Sequence, residues 1–86
     1  MNKGQKVELR TFNGTSKTDE NCNPNENYWK LIGSIGTVIN FPEELNFPYK
    51  NRLLIQFDKD VKQLNLECHN NEPNSLWILI SDLRII

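Results

Sequence analysis

Two stretches of the sequence alternate between apolar and polar residues, and this period of two constrains the fold more than any other feature. Residues 5–10 place Val7 and Leu9 between charged or polar neighbours, and residues 52–58 repeat the pattern with Leu53, Ile55 and Phe57. Because successive side chains of a strand point to opposite faces, such alternation indicates half-buried β-strands. No window shows a sustained helical period, so the sequence predicts an all-β fold of five or six antiparallel strands, with no helix longer than a single turn.

The densest apolar stretch, residues 28–41, contains Gly33 and Gly36 followed by a run of β-branched residues at 37–39. Glycine adopts positive φ without steric cost, which predicts a bend or bulge at this pair. The β-branched run favours extended backbone, so a strand should leave the bend and end near Asn40, before Pro42. We interpret this Gly-x-x-Gly as a turn, because a phosphate-binding loop would precede a helix.

The remaining strands are assigned from shorter patterns. Residues 61–68 carry Leu64, Leu66 and Cys68 at a spacing of two, which predicts a short strand or hairpin arm. Residues 76–80 are apolar on both faces, so we expect a central strand that is covered on both sides. A break at residues 81–82 should precede a terminal strand. Trp77 and Phe57 are expected in the core.

Two loops separate these strands. Residues 13–27 hold almost no apolar side chain and begin with Asn13-Gly14, which predicts a turn at the start of a long exposed loop. Residues 41–51 are richer in apolar groups, among them Phe47 and Tyr49. This second loop either packs onto the fold or displays its aromatics, and we favour partial packing, because exposed aromatics are costly unless they serve contact.

The length of 86 residues accommodates one domain, residues 1–86. The net charge of −1 offers no global attraction for a polyanion, so nucleic-acid binding is disfavoured, although Lys30, Lys50 and Arg52 keep a local basic patch open. Lys3, Lys6 and Arg10 are interpreted as a solvated strand face. The sequence begins without an apolar leader segment and contains no membrane span, and we expect a cytoplasmic protein.

No group of residues indicates catalysis, a cofactor or a metal. His69, the sole histidine, neighbours Cys68, but adjacent residues in a strand point to opposite faces. Asp58, Asp60 and Glu67 lack the rest of a calcium loop. We therefore expect a protein that is not an enzyme and binds no cofactor.

Cys22 and Cys68 show no C-x-x-C spacing that would suggest a metal or redox site. Free thiols are the favoured interpretation. A disulfide between them is the alternative, and it would require an oxidising compartment, which nothing else in the sequence indicates.

The order of these elements, with a further strand directly before the bend at Gly33 and Gly36, resembles an SH3-like small β-barrel, nearest to the KOW-like and nitrile-hydratase-accessory-like bacterial barrels. The resemblance depends on Val7, Leu9, Leu31, Gly33, Gly36, Thr37, Val38, Ile55, Phe57, Trp77 and Ser81-Asp82-Leu83. In those families a short 3₁₀ turn, similar to residues 81–83, feeds a terminal strand that pairs with the first. The resemblance implies a fold and no catalytic residues, and the basic loops of KOW-type RNA binders are missing.

We therefore expect a small protein-binding module, of an immunity or accessory type, that docks a partner protein through loop aromatics. Aromatic side chains anchor many interfaces, and a charged rim commonly surrounds an apolar centre. The expected contact residues are Phe47, Tyr49, Glu43, Glu44 and Trp29. A KOW-like barrel that binds nucleic acid in transcription or translation is the alternative.

Overall fold

Five antiparallel strands form one open sheet in the computed structural model, which describes residues 2–18, 22–41, 51–66, 68 and 72–86. The strands are β1 (Lys6–Leu9), β2 (Ile35–Asn40), β3 (Arg52–Phe57), β4 (Ser75–Leu79) and β5 (Leu83–Ile85). Their order in the sheet is β4-β3-β2-β1-β5. The predicted all-β fold is confirmed. No helix in these parts of the chain is long and apolar enough to cross a membrane.

The terminal strand pairs with the first, as the resemblance implied. Val7 lies opposite Ile85 on one side and opposite Gly36 on the other, so β1 is enclosed between β5 and β2. The register between β2 and β3 shifts between Val38 and Asn40, which marks a bulge or irregularity near the end of β2. Strands β1 and β5 are therefore joined by backbone pairing.

One face of the sheet forms the core, and the alternation seen in the sequence supplies it. Leu9 and Ile55, from two of the alternating stretches, are fully buried, and Phe57 is 3% exposed, which confirms the prediction for this aromatic. Trp77 is only half-buried and lies outside the core, so the prediction for that residue was wrong. The buried hydrophobic cluster consists of Val7, Leu9, Phe12, Leu31, Val38, Leu53, Ile55, Phe57, Val61, Leu66, Leu76 and Ile78.

Gly33 makes the predicted bend, whereas Gly36 has a different role within β2. Gly33 has a φ of +90°, a conformation that glycine adopts freely. Gly36 lies within β2, where an added Cβ would stand 2.6 Å from Cγ2 of Ile55 and 2.9 Å from the carbonyl oxygen of Gln56. Gly33 therefore allows the turn, and Gly36 allows β3 to approach closely.

Two predicted strands are 3₁₀ helices instead. The segment before Gly33 forms a 3₁₀ helix over Tyr28–Leu31, and the segment after Asp60 forms another over Val61–Leu64. In the second, the Asp60 carboxylate accepts from the Lys62 amide at 2.9 Å, and Asn65 ends the helix with φ of 60°. Such local side-chain contacts stabilise a helical turn. A pattern with an apolar residue at every second position does not reveal them.

The strand predicted to be central, β4, lies at an end of the sheet. Its two faces differ, because Leu76 and Ile78 are buried while Trp77 and Leu79 are half-buried. The apolar run therefore reflects one core face and one partly covered face. The predicted break after it is confirmed as a 3₁₀ helix over Ile80–Asp82.

Candidate functional site

The loop after β1 begins with a tight turn over residues 12–15. The backbone amide of Phe12 donates to the carbonyl of Thr15 at 2.9 Å, and the reverse bond measures 3.1 Å. Asn13 and Gly14, the two central residues, have φ of 51° and 81°. Positive φ at both positions is the signature of a type I′ turn, for which Asn-Gly is the preferred pair. The predicted turn is confirmed, and its two exposed residues project at the end of a short hairpin.

A buried carboxylate holds this turn. Asp82 is fully buried, and its Oδ1 accepts from the Thr11 hydroxyl at 2.6 Å and from the Gly14 amide at 3.0 Å. Its Oδ2 accepts from the Asn13 amide at 2.9 Å. An ionised carboxylate accepts and does not donate, so these three donors match it, and burial of the group is compensated. We call this arrangement the Asp82 clamp.

An arginine links the same turn to the far end of the sheet. Arg52, the first residue of β3, donates from Nη2 to Oδ1 of Asn13 at 2.9 Å and from Nη1 to the carbonyl of Trp77 at 3.1 Å. The planar guanidinium offers several donors in a fixed arrangement, which lets one side chain join two elements. Asn13 is therefore held by its amide and by its side chain.

Three aromatic rings pack beside the turn. The centroid of the Phe12 ring lies 4.9 Å from that of Trp29, in an edge-to-face arrangement, and 5.5 Å from that of Tyr28, in a tilted arrangement. The indole Nε1 of Trp29 donates to Oγ1 of Thr15 at 2.9 Å. Edge-to-face packing is a favoured geometry for aromatic pairs. The rings and the turn therefore form one connected wall.

This wall borders a cleft of about 490 Å³ that is lined by Phe12, Asn13, Cys22, Asn23, Glu26, Tyr28 and Trp29. We call it the aromatic cleft. Glu26 is exposed at its edge and forms no ion pair with any residue that the structure describes. The lining combines aromatic surface with side-chain amides, a thiol and a single carboxylate.

Of the predicted contact residues, the structure places Trp29 in the aromatic cleft. The others, Glu43, Glu44, Phe47 and Tyr49, lie outside the described residues, as does the predicted packing of most of their loop. Phe12 and Tyr28 complete the cleft and were missed as site residues. An aromatic directly before Asn13-Gly14, and another directly before Trp29, was the signal that could have found them.

The two cysteines are not joined by a disulfide, and they lie in different surroundings. Cys22 lines the cleft, and its thiol donates to the carbonyl of Asn23 at 3.4 Å. The Cys68 thiol donates to the carbonyl of Ser75 at 3.3 Å, beside β4. Both residues are half-buried, and each thiol is hydrogen-bonded to a nearby backbone carbonyl.

The charged side chains of the strand face pair with one another. Lys6 lies 3.3 Å from Asp58, and Glu8 lies 3.7 Å from Arg10 and 3.4 Å from Arg84. These are exposed or half-exposed pairs that contribute little stability but neutralise local charge. Lys6 and Arg10 are exposed, which confirms their interpretation as solvated residues, whereas Lys3 is exposed in the turn before β1 and not on the strand.

The carboxylates Asp58 and Asp60 border a second hollow, of about 540 Å³, together with Lys59, Gln63 and Leu64. Asp58 and Asp60 are otherwise engaged, with Lys6 and with the Lys62 amide. Glu67 and His69, named with them in the sequence, lie outside the described residues. Within the described ranges, no three metal-binding side chains come together.

These features define a small all-β protein with a buried carboxylate and an aromatic cleft at one end of its sheet. Comparison of the chain with family models, with curated proteins and with solved structures finds no match.

Proposed function

We propose that this protein is a non-enzymatic binding module with an SH3-like architecture, of an immunity or accessory type, that docks a partner protein through the aromatic cleft. The observation that supports this most is the cleft itself, because the half-buried rings of Tyr28 and Trp29 present aromatic surface next to exposed loop residues, with the buried Phe12 ring packed against them. Aromatic residues in pockets are typical anchors of protein interfaces.

The fixed geometry of the wall supports the same proposal. The Trp29 indole is hydrogen-bonded to Thr15, and the turn carrying Phe12 and Asn13 is held by the Asp82 clamp. A surface that is ordered before contact loses less conformational freedom when a partner binds. The aromatic cleft is therefore built to bind without first rearranging its turn.

The loop of residues 41–51 extends the proposed docking surface. Phe47 and Tyr49 are proposed as further anchors, and Glu43 and Glu44 as the charged rim, on the basis of the sequence. Phe41, the first residue of this loop, packs against the core. The loop therefore begins from a fixed point.

The charge distribution favours a protein partner over a nucleic acid. Affinity for nucleic acid comes largely from clustered cations that displace counterions from phosphates. Lys6, Arg10 and Arg84 are each within ion-pair distance of a carboxylate, and the aromatic cleft carries Glu26. A nucleic acid bound at the cleft is the competing outcome of the test below.

Site-directed photo-crosslinking in cells of the source tests the proposal. A photoreactive residue is placed at Asn23 or Glu26, which are exposed at the cleft, and at Lys59 or Gln63, which are exposed at the second hollow. We expect one discrete protein adduct from the cleft positions and none from the control positions. The adduct should disappear with Tyr28→Ala, which removes a half-buried ring from the cleft lining, provided that this variant still melts cooperatively.

Two outcomes would contradict the proposal. Crosslinks to nucleic acid from Asn23 and Glu26 would favour the KOW-like alternative. Equal recovery of the same protein from all four positions would place the docking surface elsewhere or indicate nonspecific contact.

A further inference from the structure

Asn13 is the sole asparagine of the sequence that precedes a glycine. In this pair the backbone nitrogen of the glycine can attack the asparagine side chain, because glycine has no Cβ to obstruct the approach. The Gly14 nitrogen loses its proton and bonds to Cγ of Asn13, the Cγ–Nδ2 bond breaks, and ammonia leaves. Water then opens the resulting succinimide at either carbonyl, which gives aspartate or isoaspartate at position 13.

We propose that residues 13–14 form a deamidation site whose reactivity is controlled by the Asp82 clamp. The reaction is suppressed while the clamp holds the turn and proceeds when the turn opens. The inference is independent of the proposed function, since it depends on the turn and on its bonds alone.

The first contact that suppresses the reaction is the one between Gly14 and Asp82. The amide that must become the nucleophile donates its proton to Oδ1 of Asp82 at 3.0 Å. Loss of that proton would leave a negative nitrogen 3.0 Å from Oδ1 of Asp82, and like charges at so short a distance repel. The clamp therefore disfavours the reactive form of the nitrogen.

The second contact orients the group under attack. Oδ1 of Asn13 accepts from Arg52 at 2.9 Å, while φ of Asn13 is 51°. Arg52 draws electron density from the side-chain carbonyl, which by itself would favour attack, but it also holds Cγ toward β3. The Asn13 backbone amide is bonded to Asp82 and its side-chain oxygen to Arg52. The side chain therefore cannot rotate toward the Gly14 nitrogen until the turn opens.

The isoaspartate product cannot restore the clamp. In the unmodified chain, the amides of residues 13 and 14 donate to Oδ2 and Oδ1 of Asp82. Isoaspartate adds one atom to the backbone between these two amides. The lengthened backbone cannot place both at hydrogen-bond distance. Since Asn13 also lines the aromatic cleft, one modification changes the wall of the cleft permanently.

Mass spectrometry of the whole chain during incubation in mildly alkaline buffer tests the proposal. The rate of conversion at Asn13 is read from the mass gain that accompanies replacement of an amide by an acid, and peptide mapping separates isoaspartate from aspartate. A synthetic peptide of residues 9–18 supplies the rate of the open turn. We expect the folded chain to react at least about tenfold more slowly than the peptide, because reaction requires local opening.

The variant Asp82→Ala should bring the rate in the folded chain close to that of the peptide, and Ser81→Ala, an exposed neighbour, should leave it unchanged. A second measurement serves if Asp82→Ala does not melt cooperatively. Hydrogen exchange of the Gly14 amide in the wild-type chain should be slowed by the same factor as deamidation, because both follow one opening.

Three results would overturn the proposal. The folded chain could convert at the rate of the peptide, or a cooperatively folded Asp82→Ala variant could keep the slow rate. The Gly14 amide could also exchange as fast in the folded chain as in the peptide while deamidation stays slow.

Discussion

The Asp82 carboxylate lies 2.6 Å from the Thr11 hydroxyl, which joins two residues 71 positions apart in the sequence. The backbone supports the same link, since the carbonyl of Asp82 accepts from the Arg10 amide at 2.8 Å. The end of β1 and the short 3₁₀ helix before β5 are thereby fixed to each other by side chain and main chain. The Asp82 carboxylate can be buried here because residues 11–14 supply the three donors from which it accepts.

Replacement of Asp82 by Ala should lower the free energy of unfolding by about 2 kcal/mol or more, because it removes three hydrogen bonds, each with a net contribution of about 0.5–1.5 kcal/mol. Urea denaturation followed by tryptophan fluorescence measures the change. Ser81→Ala, in the same 3₁₀ helix but exposed, is the matched control and should shift stability by no more than about 0.5 kcal/mol. Equal midpoints for the two variants would show that the clamp does not stabilise the fold.

The two aromatic residues expected in the core should now behave differently. Phe57 is 3% exposed, and Phe57→Ala should cost about 3–5 kcal/mol, enough to unfold a domain of this size. Trp77 is half-buried and outside the core, so Trp77→Ala should cost clearly less and leave a cooperative thermal melt. A larger loss for Trp77 than for Phe57 would contradict the assignment of the core.

The sequence predicted the strands where one physical effect dominates. In β1 the buried positions alternate as the sequence does. In β3 the predicted face of Leu53, Ile55 and Phe57 is buried, but Leu54 on the opposite face is buried as well. At Tyr28–Leu31 and Val61–Leu64 short-range hydrogen bonds decide the local structure, and the apolar spacing is misleading.

The site was only partly predictable. In the sequence, Asp82 is only a polar residue in a break between apolar ones. Its burial depends on donors that lie 68 or more positions away, and the sequence does not show that they meet it. Trp29 was named from its residue type, whereas the contribution of Phe12 depends on the turn that brings it beside the 3₁₀ helix. Contacts between residues that are far apart in the chain produce no periodic pattern that could be recognised in the sequence.

Gly33 and Gly36 should respond differently to asparagine. At Gly33 the obstacle to alanine is the positive φ, with open space around a Cβ, so Gly33→Asn should be more stable than Gly33→Ala, because asparagine tolerates left-handed backbone. At Gly36 the obstacle is contact with Ile55 and Gln56, so both substitutions should destabilise by about 1–3 kcal/mol, as overpacking does. Thermal melts of the four variants measure this. A gain from asparagine at Gly36 would contradict the steric explanation.

The hydrogen bond between Trp29 and Thr15 should couple the aromatic wall to the turn. Trp29→Phe keeps an aromatic ring but removes the Nε1 donor, and Thr15→Val keeps the shape of the side chain but removes its acceptor. Either change alone loses the bond, so the second change adds little once the first is made. A double-mutant cycle in urea should therefore give a coupling energy of about 0.5–1.5 kcal/mol, the usual net contribution of one hydrogen bond.

The cycle built from Trp77→Phe and Thr15→Val is the control. Trp77 lies in β4 and its carbonyl is bonded to Arg52, so its indole should show no coupling to Thr15. Coupling at Trp29 and none at Trp77 would establish that the 3₁₀ helix and the Asn-Gly turn act as one rigid wall of the aromatic cleft. Additive losses in both cycles would mean that this bond does not hold the wall, and that the packing of Phe12 against Trp29 alone orders it.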